Sequence, residues 1–410
     1  MKKSVLFVIN TLGTAGAEKA LLELLRRFDK ALYEVDLYVL MNQGELIGEV
    51  PSEVNVLNKY FDNSPIYGEV GAKHLKKFVL RSFFKRGALF RTFFYLLKNA
   101  FTMVVSGNFM KDKLLWRTMA FAADRNEKEY DLAVSYIEGG SAYYVDKFVT
   151  ARKKVSFFHV NYSEAGYNRN LDKECYRRFD RIFPISDEVR ASFLEVYPEL
   201  SEKTVVFHNI LDMDEILCKS KQPGGFDDGF NGIRLLSIGR LNKQKAFEAS
   251  IDAMKILREK DLNCRWYVLG EGDQRDFLQE HIDELGLSDD FILLGNKENP
   301  YNYLNQCDIY VHASKFEGKS IAIQEAQVLS KPIIVTDCHG NREQVTNGID
   351  GLICEFNSNA IAMSIIDMMK EKDNAKEMGM KAYDRIAKAL ESDDIELLYE
   401  LCGEKDEERP

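Results

Sequence analysis

The sequence predicts an α/β protein made of two successive domains, each with a parallel sheet. Short apolar runs, typical of buried strands, alternate with amphipathic segments, typical of helices, along most of the chain. This alternation begins at residue 4 and restarts at residue 234, after the glycine-rich polar stretch 219–232, which is interpreted as a linker or an early loop. A chain of 410 residues with 45% hydrophobic content is long enough to bury two cores.

Composition excludes several classes of protein. The net charge of −10 argues against a nucleic-acid-binding protein. The seven cysteines form no C-x-x-C pair, which argues for a reducing compartment and against disulfides or structural zinc, so no metal site is expected. The sequence has no run of eighteen uncharged apolar residues, and the opening MKKSVLFVIN is interpreted as a strand rather than a signal peptide. We therefore expect a cytoplasmic protein without a spanning helix.

The first half opens with a strand, a glycine-containing loop and a helix. The apolar run 4–9 predicts a strand buried on both faces, and the segments 17–28 and 34–40 predict a helix and the next strand. The intervening loop, Gly13–Gly16, would lie at the carboxyl end of the first strand, which is the ligand side of a Rossmann-type sheet. Its glycines lack the G-x-G-x-x-G spacing, so dinucleotide binding is not predicted.

Residues 71–111 differ from the rest of this acidic chain. They contain nine Lys or Arg residues and no acidic residue, with aromatic residues interleaved. A basic, aromatic helical segment is typical of a surface that lies on anionic lipid. The predicted membrane contacts are Lys76, Lys77, Arg81, Phe83, Phe84, Lys85 and Arg86. The alternative is a helical insertion whose aromatic side chains belong to the core and whose cations face water.

Further strands are predicted at 132–136, 154–158, 181–185 and 204–208, and Ser186 is predicted to cap a helix. His159 follows the strand 154–158 directly and would lie at its carboxyl end, where ligands of open α/β sheets bind. Structural hydrogen bonding is the alternative for an isolated histidine.

In the second half, strands are predicted at 234–238, 265–269 and 291–294, and a helix at 246–259. The loop GRLNKQK follows the first of these strands and carries Arg240 and Lys245. Two cations at the carboxyl end of a strand could neutralise the charges of a diphosphate.

The stretch 307–336 predicts one strand–helix–strand unit, with strands at 308–313 and 331–336 and a helix at 320–329. Ser320 is placed to cap the helix, and the amides around Lys319, Ser320 and Ile321 would form an anion site. Glu317 and Glu325 bracket this site, and carboxylates accept hydrogen bonds from sugar hydroxyls. The sequence therefore predicts a ligand that carries phosphates between sugar hydroxyls.

Several motifs resemble those of one enzyme family. SIGRLNKQKAF resembles G-R-L…Q-K-G-F, YVLGEGDQRDFL resembles L-G-x-G-x-x-x-x-L, and FEGKSIAIQEA resembles E-x7-E, with glycine after the first glutamate. TLGTAGAEKALLEL resembles an N-terminal G-G-A-E loop, and PISDEV and VFHNILD resemble the strands before a hinge. The chain thus resembles the retaining glycosyltransferase family 4, of the GT-B fold. This resemblance implies two Rossmann-like domains that face a cleft: an acceptor domain at 1–210, with its basic helical segment at 71–118, and a nucleotide-sugar domain at 211–390. A crossover helix, predicted at 393–402, and a tail would occupy 391–410.

The resemblance also implies roles for individual residues. Glu317, His159, Arg240 and Lys245 would be catalytic. Glu317 and His159 would contact the transferred sugar, while Arg240 and Lys245 would hold the diphosphate. The donor-binding residues would be Gly16, Arg240, Lys245, Asn296, Lys297, Gly318, Lys319, Ser320, Ile321 and Glu325. Glu325 would bind the ribose, and Asn296 with Lys297 would bind the base. The family works without an essential metal or cofactor, and the leaving phosphate would take the proton of the acceptor.

The expected function is therefore retaining transfer of a hexose or N-acetylhexosamine from a nucleotide sugar, a UDP-sugar by preference, to a glycan acceptor. A lipid-linked acceptor in cell-surface polysaccharide synthesis, at the inner face of the cell membrane, would suit the basic segment. A soluble protein glycosyltransferase, a non-catalytic nucleotide-sugar-binding relative and an inverting enzyme with His159 as base are the alternatives. Ala246, Lys319 and Ala15 depart from the family pattern and leave the identity of the donor sugar open.

Overall fold

The computed structural model describes residues 2–66, 69–84, 93, 97, 100, 111–162, 165, 169–172, 174–391 and 394–403. It divides into two compact units, Met1–Ile210 with Asp393–Pro410 and Leu211–Ser392. Within the described part of the chain, no helix combines the length and the apolar character that crossing a bilayer requires.

The first unit contains a parallel sheet of six strands in the order β3-β2-β1-β4-β5-β6. The strands are β1 (Lys3–Ile9), β2 (Tyr33–Val39), β3 (Asn55–Val56), β4 (Glu129–Ser135), β5 (Thr150–Phe158) and β6 (Arg181–Pro184). This is the strand order of a Rossmann sheet, and the direction of winding reverses between β1 and β4. The carboxyl ends of these two strands therefore flank the crevice where ligands of such sheets bind.

The described helices of this unit are Gly16–Arg27, Glu69–Phe84, Lys111–Ala122, Gly140–Phe148, Arg169–Asp172, Asp187–Val196 and Glu396–Cys402, with short 3-10 helices at Glu45–Glu49, Cys175–Arg178 and Pro198–Lys203. As predicted, Ser186 caps a helix, because its hydroxyl accepts a hydrogen bond from the amide of Val189 at 3.2 Å.

The strand predicted at 204–208 is wrong. Thr204 forms only an isolated bridge with Ile182, and the amide of Phe207 donates to the carbonyl of Pro184 at 2.9 Å. Pro184 ends β6 and has no N–H to donate in return, so a regular ladder cannot continue beside it.

The second unit repeats the same topology. Its six parallel strands lie in the order β12-β11-β10-β7-β8-β9, which reverses direction between β7 and β10. They are β7 (Ile233–Ile238), β8 (Cys264–Leu269), β9 (Phe291–Gly295), β10 (Ile309–His312), β11 (Ile333–Thr336) and β12 (Leu352–Cys354). The expectation of two Rossmann-like domains is confirmed.

The helices of the second unit cover both faces of its sheet and are Met213–Ser220, Phe247–Glu259, Arg275–Glu284, Pro300–Gln306, Ile321–Val328, His339–Gln344, Ser358–Lys370 and Lys372–Ala389. Neighbouring strand residues alternate between two cores: Trp266 belongs to the cluster on one face and Tyr267 to the cluster on the other. The stretch 221–232 is a loop within this unit, held by Asp228, whose carboxylate accepts hydrogen bonds from Arg234 and Arg265. Of the two interpretations of this stretch, an early loop is therefore the one observed.

The helix Glu69–Phe84 has one face on the core and one face in solvent. Phe78 packs against the core of the first unit. Lys76 and Lys77 are exposed, as is Arg81, and Leu80 and Phe84 are 61% and 80% exposed. One aromatic residue of the predicted basic segment is thus partly buried against the core, and another is a surface residue. The side chain of Phe83, and the residues Lys85 and Arg86, lie outside the described part of the chain.

The C-terminal helix Glu396–Cys402 packs on the first unit, as predicted. The ring of Tyr399 stacks on Tyr33 at a centroid distance of 4.9 Å and contacts Phe28 edge-on at 5.1 Å. Its hydroxyl accepts a hydrogen bond from the amide of Asp29 at 2.9 Å. The C-terminal helix therefore packs on the loop between the first helix and β2.

Replacing Tyr399 with alanine should destabilise the first unit by about 3 kcal/mol, because it removes a buried aromatic ring and a hydrogen bond. Thermal unfolding of the full-length protein, with hydrogen exchange of β1 and β2, measures the effect. Tyr60→Ala is the matched control, because Tyr60 is 84% exposed in the same unit. Equal midpoints for the two variants would contradict the prediction.

Candidate functional site

Two loops meet at the reversal point of the second sheet, at the carboxyl ends of β7 and β10. The loop after β7 carries Gln244, and the loop after β10 carries Lys315 and Phe316. The amide of Lys315 donates to the carbonyl of Gln244 at 2.9 Å, and the side-chain amide of Gln244 donates to the carbonyl of Phe316 at the same distance. Gln244 therefore fastens together the two segments that the sequence singled out separately.

A cluster of polar side chains lies between these loops. The ammonium of Lys245, the hydroxyl of Ser314 at 2.8 Å and Nε2 of His312 at 3.1 Å all contact Oε1 of Glu317. Glu317 is 9% exposed as a residue, and the side chain of Lys245 is 15% exposed. Lys245 and Glu317, predicted from separate motifs, are thus brought together as a buried ion pair.

The charges of this cluster determine its protonation. Burial alone would raise the pKa of Glu317, but the Lys245 ammonium and the contact with His312 outweigh burial and hold that pKa well below the usual 4.5. Burial, reinforced by the Lys245 charge, lowers the pKa of His312 below the usual 6.5, so its imidazole is neutral near neutral pH. The site therefore combines one partly buried cation with one buried anion.

Arg240 lies at the carboxyl end of β7 and is exposed. Ala246 ends the same loop, as the N-cap of the helix Phe247–Glu259, in the left-handed conformation with φ of +49°. This conformation favours glycine, which explains why the family pattern has glycine at this position. The departure at Ala246 thus changes the local backbone strain, while Lys245 still reaches Glu317.

Glu325 is buried in the helix Ile321–Val328 and accepts a hydrogen bond from the hydroxyl of Tyr301 at 3.1 Å. Tyr301 lies in the helix Pro300–Gln306, which follows the exposed residues Asn296 and Lys297 at the carboxyl end of β9. A direct contact therefore connects the second glutamate of the E-x7-E motif to the helix that follows the segment predicted to bind the base.

The predicted cap by Ser320 is wrong in its chemistry. Ser320 occupies the N-cap position with ψ of 117°, but its side chain makes no capping hydrogen bond. Ser186, by contrast, does cap its helix through its hydroxyl. The predicted anion site at Gly318, Lys319, Ser320 and Ile321 thus rests on backbone amides and not on a serine cap.

The backbone of this turn is held from outside by Gly340. A Cβ added there would lie 2.2 Å from the carbonyl oxygen of Gly318 and 2.5 Å from that of Glu317. The close approach of two backbones that only glycine allows therefore fixes the E-G-K-S turn.

The remaining predicted residues belong to the first unit. Gly16 is the first residue of the helix that follows β1. His159 follows β5, and its amide donates to the carboxylate of Glu138 at 3.0 Å. Burial lowers the pKa of His159 to about 4, so its imidazole is neutral, and Nε2 has no hydrogen-bond partner in the described part of the chain.

Asn10 fastens the reversal point of the first sheet. Its side chain accepts from the amide of Ser141 at 2.9 Å and donates to the carbonyl of Glu138 at 3.3 Å, which connects β1 to the turn after β4. Asn10 and Glu138, like His312, Ser314 and Tyr301 in the second unit, were missed by sequence reasoning. Four of these polar residues lie at the end of a predicted strand or just beyond it, and Tyr301 lies in the helix that follows one. That position is the signal by which the sequence could have indicated them.

Comparisons with known proteins agree with this topology. Residues 228–385 match the family model of glycosyl transferases group 1, so the second unit carries a domain of that family. The crystal structure of Anabaena HepE in complex with UDP and glucose superposes with a TM-score of 0.65, at 16% identity, over 97% of both chains. This likeness shows the fold, and the expected GT-B architecture is confirmed.

Two curated relatives are similar to parts of the chain. The N-acetylgalactosamine-N,N'-diacetylbacillosaminyl-diphospho-undecaprenol 4-alpha-N-acetylgalactosaminyltransferase of Campylobacter jejuni is 30% identical over 226 residues, which cover 55% of this chain and 60% of the relative. An uncharacterised glycosyltransferase of Methanocaldococcus jannaschii is 31% identical over 193 residues, 45% of this chain and 47% of the relative. The chain thus spans less than two thirds of the length of either protein.

Replacing Lys245 with methionine should destabilise the second unit by about 3 kcal/mol near neutral pH, because it leaves the Glu317 carboxylate buried without its cation. Without Lys245, burial raises the folded-state pKa of Glu317 above its unfolded value, so acidification protonates the carboxylate and stabilises the variant relative to neutral pH. The difference in the free energy of unfolding between wild type and variant should therefore be smaller at about pH 5 than at about pH 7.5. Urea unfolding at both pH values measures it.

Lys243→Met is the matched control, because Lys243 is exposed in the same loop. The contrary result is that the free energies of unfolding of wild type and Lys245→Met differ by the same amount or by more at the lower pH. That result would show that Glu317 is not the group left without a partner.

Proposed function

We propose that the protein is a retaining glycosyltransferase that moves a hexose or N-acetylhexosamine from a UDP-sugar to a glycan acceptor. The observation that carries this proposal is the buried Lys245–Glu317 pair at the reversal point of the second sheet, within a domain of the glycosyl transferases group 1 family. A cation for phosphate and a carboxylate for sugar hydroxyls adjoin each other there, as a nucleotide-sugar donor requires.

In the proposed donor complex, Lys245 and Arg240 hold the diphosphate together with the backbone amides at the start of the helix Ile321–Val328. Glu325, contacted by Tyr301, binds the ribose hydroxyls, and the segment at Asn296 and Lys297 binds the base. The presence of uracil in the donor is supported by HepE, which was solved with UDP and glucose.

In the proposed transfer step, Glu317 binds the hydroxyls of the transferred sugar and His159 contacts the same sugar. The acceptor hydroxyl attacks the face from which the phosphate leaves, and the leaving phosphate takes the acceptor proton, with Lys245 and Arg240 neutralising its charge. We propose that no metal takes part. The depressed pKa of His159, about 4, makes it a weak base at neutral pH, which favours retention over an inverting mechanism that would use this histidine.

A lipid-linked acceptor is the finer proposal. The Campylobacter relative is named for an acceptor on diphospho-undecaprenol, and an Escherichia coli relative, 31% identical over 130 residues, is named for GlcNAc-diphosphoundecaprenol. The exposed face of the helix Glu69–Phe84 combines Lys76 and Lys77 with Leu80 and Phe84 at helical spacing. Cations with apolar side chains on one face are the composition of an interfacial helix, so we propose that this face binds anionic membrane.

Two other functions remain as alternatives. A non-catalytic relative would be expected to lack one of the proposed donor contacts, yet Arg240, Lys245, Glu317 and Glu325 are all present. A soluble enzyme that glycosylates proteins would bind the same donor but would need no interfacial helix, so lipid binding distinguishes it.

The donor is tested by calorimetry and turnover with the full-length protein and a panel of UDP-, GDP- and ADP-sugars. We expect UDP-sugars to bind and to be hydrolysed or transferred to a polyprenyl-diphosphate N-acetylhexosamine, with the anomeric configuration retained. Glu325→Gln should weaken UDP binding about tenfold and Tyr301→Phe less, and both should reduce the discrimination between UDP and 2′,3′-dideoxy-UDP. Glu280→Gln, an exposed helical carboxylate of the same unit, is the control.

Binding without turnover would support the non-catalytic alternative, and an inverted product would overturn the retaining mechanism. A Glu325→Gln variant that still discriminates UDP from its dideoxy analogue would remove Glu325 from the ribose site.

Membrane binding is tested by co-sedimentation with phosphatidylcholine vesicles, with and without phosphatidylglycerol. The wild type should sediment with the anionic vesicles, and Leu80→Ser/Phe84→Ser should bind about tenfold more weakly, because apolar area no longer enters the interface. Phe277→Ser, which removes a side chain that is 50% exposed in the other unit, is the control. A wild type that stays in the supernatant with both vesicles would favour the soluble alternative.

A further inference from the structure

His312 lies inside the Glu317 cluster and has no part in the proposed transfer step. It ends β10, is 3% exposed, and places Nδ1 3.0 Å from the hydroxyl of Tyr310. Its Nε2 lies 3.1 Å from both Oε1 of Glu317 and Nζ of Lys245. A neutral imidazole carries a single N–H, so it cannot form hydrogen bonds to all three of these groups at once.

The chemistry of the three neighbours selects one tautomer. A lysine ammonium only donates, so a bond from Lys245 would need Nε2 without hydrogen, whereas a bond to Glu317 needs Nε2 with hydrogen. Burial, reinforced by the charges of Glu325 and Glu317, raises the pKa of Tyr310 well above its ordinary value, so its hydroxyl keeps the proton and can donate to Nδ1. Nε2–H then donates to the carboxylate, and a hydrogen bond to an ionised acceptor is the stronger choice.

The contacts of Glu317 are one-sided. Lys245, Ser314 and His312 all contact Oε1, and Oε2 makes no hydrogen bond to any residue that the structure describes. Oε1 therefore anchors the carboxylate to the protein, and Oε2 is the oxygen that remains to accept hydrogen bonds from a ligand.

We propose that His312, oriented by Tyr310, is a positioning residue for the transferred sugar, because its Nε2–H holds Oε1 of Glu317 and so presents Oε2 to the sugar hydroxyls. This inference rests on the proposed function, in which Glu317 binds the sugar of the donor. It assigns to His312 an effect on the sugar alone, since the contacts proposed for the nucleotide are made by other residues.

A purely structural histidine would behave differently. If His312 only filled space in the core, its replacement would lower stability and would weaken the binding of UDP and of UDP-sugars equally. A positioning residue instead changes the ratio of these two affinities, because UDP lacks the sugar that Glu317 would contact.

Two substitutions separate these roles. Glutamine at this position can place an N–H near the position of Nε2, whereas asparagine reaches only to the position of Nδ1. In His312→Asn, the affinity for UDP should stay within about twofold of the wild-type value. The ratio of the affinity for the UDP-sugar to the affinity for UDP, and the turnover number, should each fall about tenfold or more. His312→Gln should recover most of both, and Tyr310→Phe should add little to His312→Asn, since Tyr310 acts through the imidazole.

The measurements are calorimetric titrations of the full-length protein with UDP, UDP-glucose and UDP-N-acetylglucosamine, with turnover of the better sugar donor. His281→Asn is the control, because His281 bonds to Asp252 at 2.9 Å in the same unit. Thermal midpoints show whether each variant is folded, and Glu317→Gln gives the loss that complete removal of the anionic contact produces.

A parallel loss of UDP and UDP-sugar affinity in a folded His312→Asn variant, or a His312→Gln variant no better than asparagine, would overturn the inference and leave the proposed function intact. If the wild type binds none of the three nucleotides, the proposed function itself fails.

Discussion

The ion pair between Lys245 and Glu317 is the interaction on which the second unit's site depends. A buried carboxylate and a buried ammonium are each costly alone, and each makes the burial of the other tolerable. Their side chains come from loops after two strands that are neighbours in the sheet but far apart in the chain. The pair can therefore form only if β7 and β10 lie side by side. The chemistry of the site thus depends directly on the strand order of the sheet.

That topology is present twice, and in each unit polar side chains gather where the strand order reverses. In the second unit, Gln244 joins the two loops through backbone carbonyl and side-chain amide contacts. In the first, Asn10 joins β1 to the residues after β4 through both polar atoms of its side chain. The carboxyl ends of parallel strands lie at the same edge of the sheet, where the loops to the following helices begin. A polar side chain at this edge can therefore form hydrogen bonds to the backbones of two loops. Such anchors give a ligand site its rigidity before any ligand is bound.

The sequence alone predicted most of the strands, the duplication, and Lys245 and Glu317 as separate residues of the site, because hydrophobic periodicity and position at strand ends depend on local order alone. The sequence alone could not predict contacts that depend on the direction in which a side chain points. His312 reads as one more residue of a buried strand, and only the fold shows that it contacts Glu317. The cap predicted at Ser320 does not form, because its hydroxyl makes no hydrogen bond to the amides of the first turn. The strand predicted at 204–208 is wrong because its partner β6 ends in Pro184, a residue distant in sequence. Tyr301 meets Glu325 across 24 positions, which no local pattern encodes.

The resting pair also explains why the proposed donor site needs more than one positive element. Lys245 and Glu317 together carry no net charge, so a diphosphate that enters beside them brings its whole negative charge to a site that is already balanced. In the proposed donor complex the ammonium of Lys245 contacts the phosphates, and the carboxylate of Glu317 keeps the neutral donors Ser314 and His312, which hold it without competing for the ligand. The remaining charge must be met by Arg240 and by the helix amides at the E-G-K-S turn. In the proposed donor complex, the two cations and the helix start together balance the charge of the diphosphate, which the Lys245–Glu317 pair alone does not.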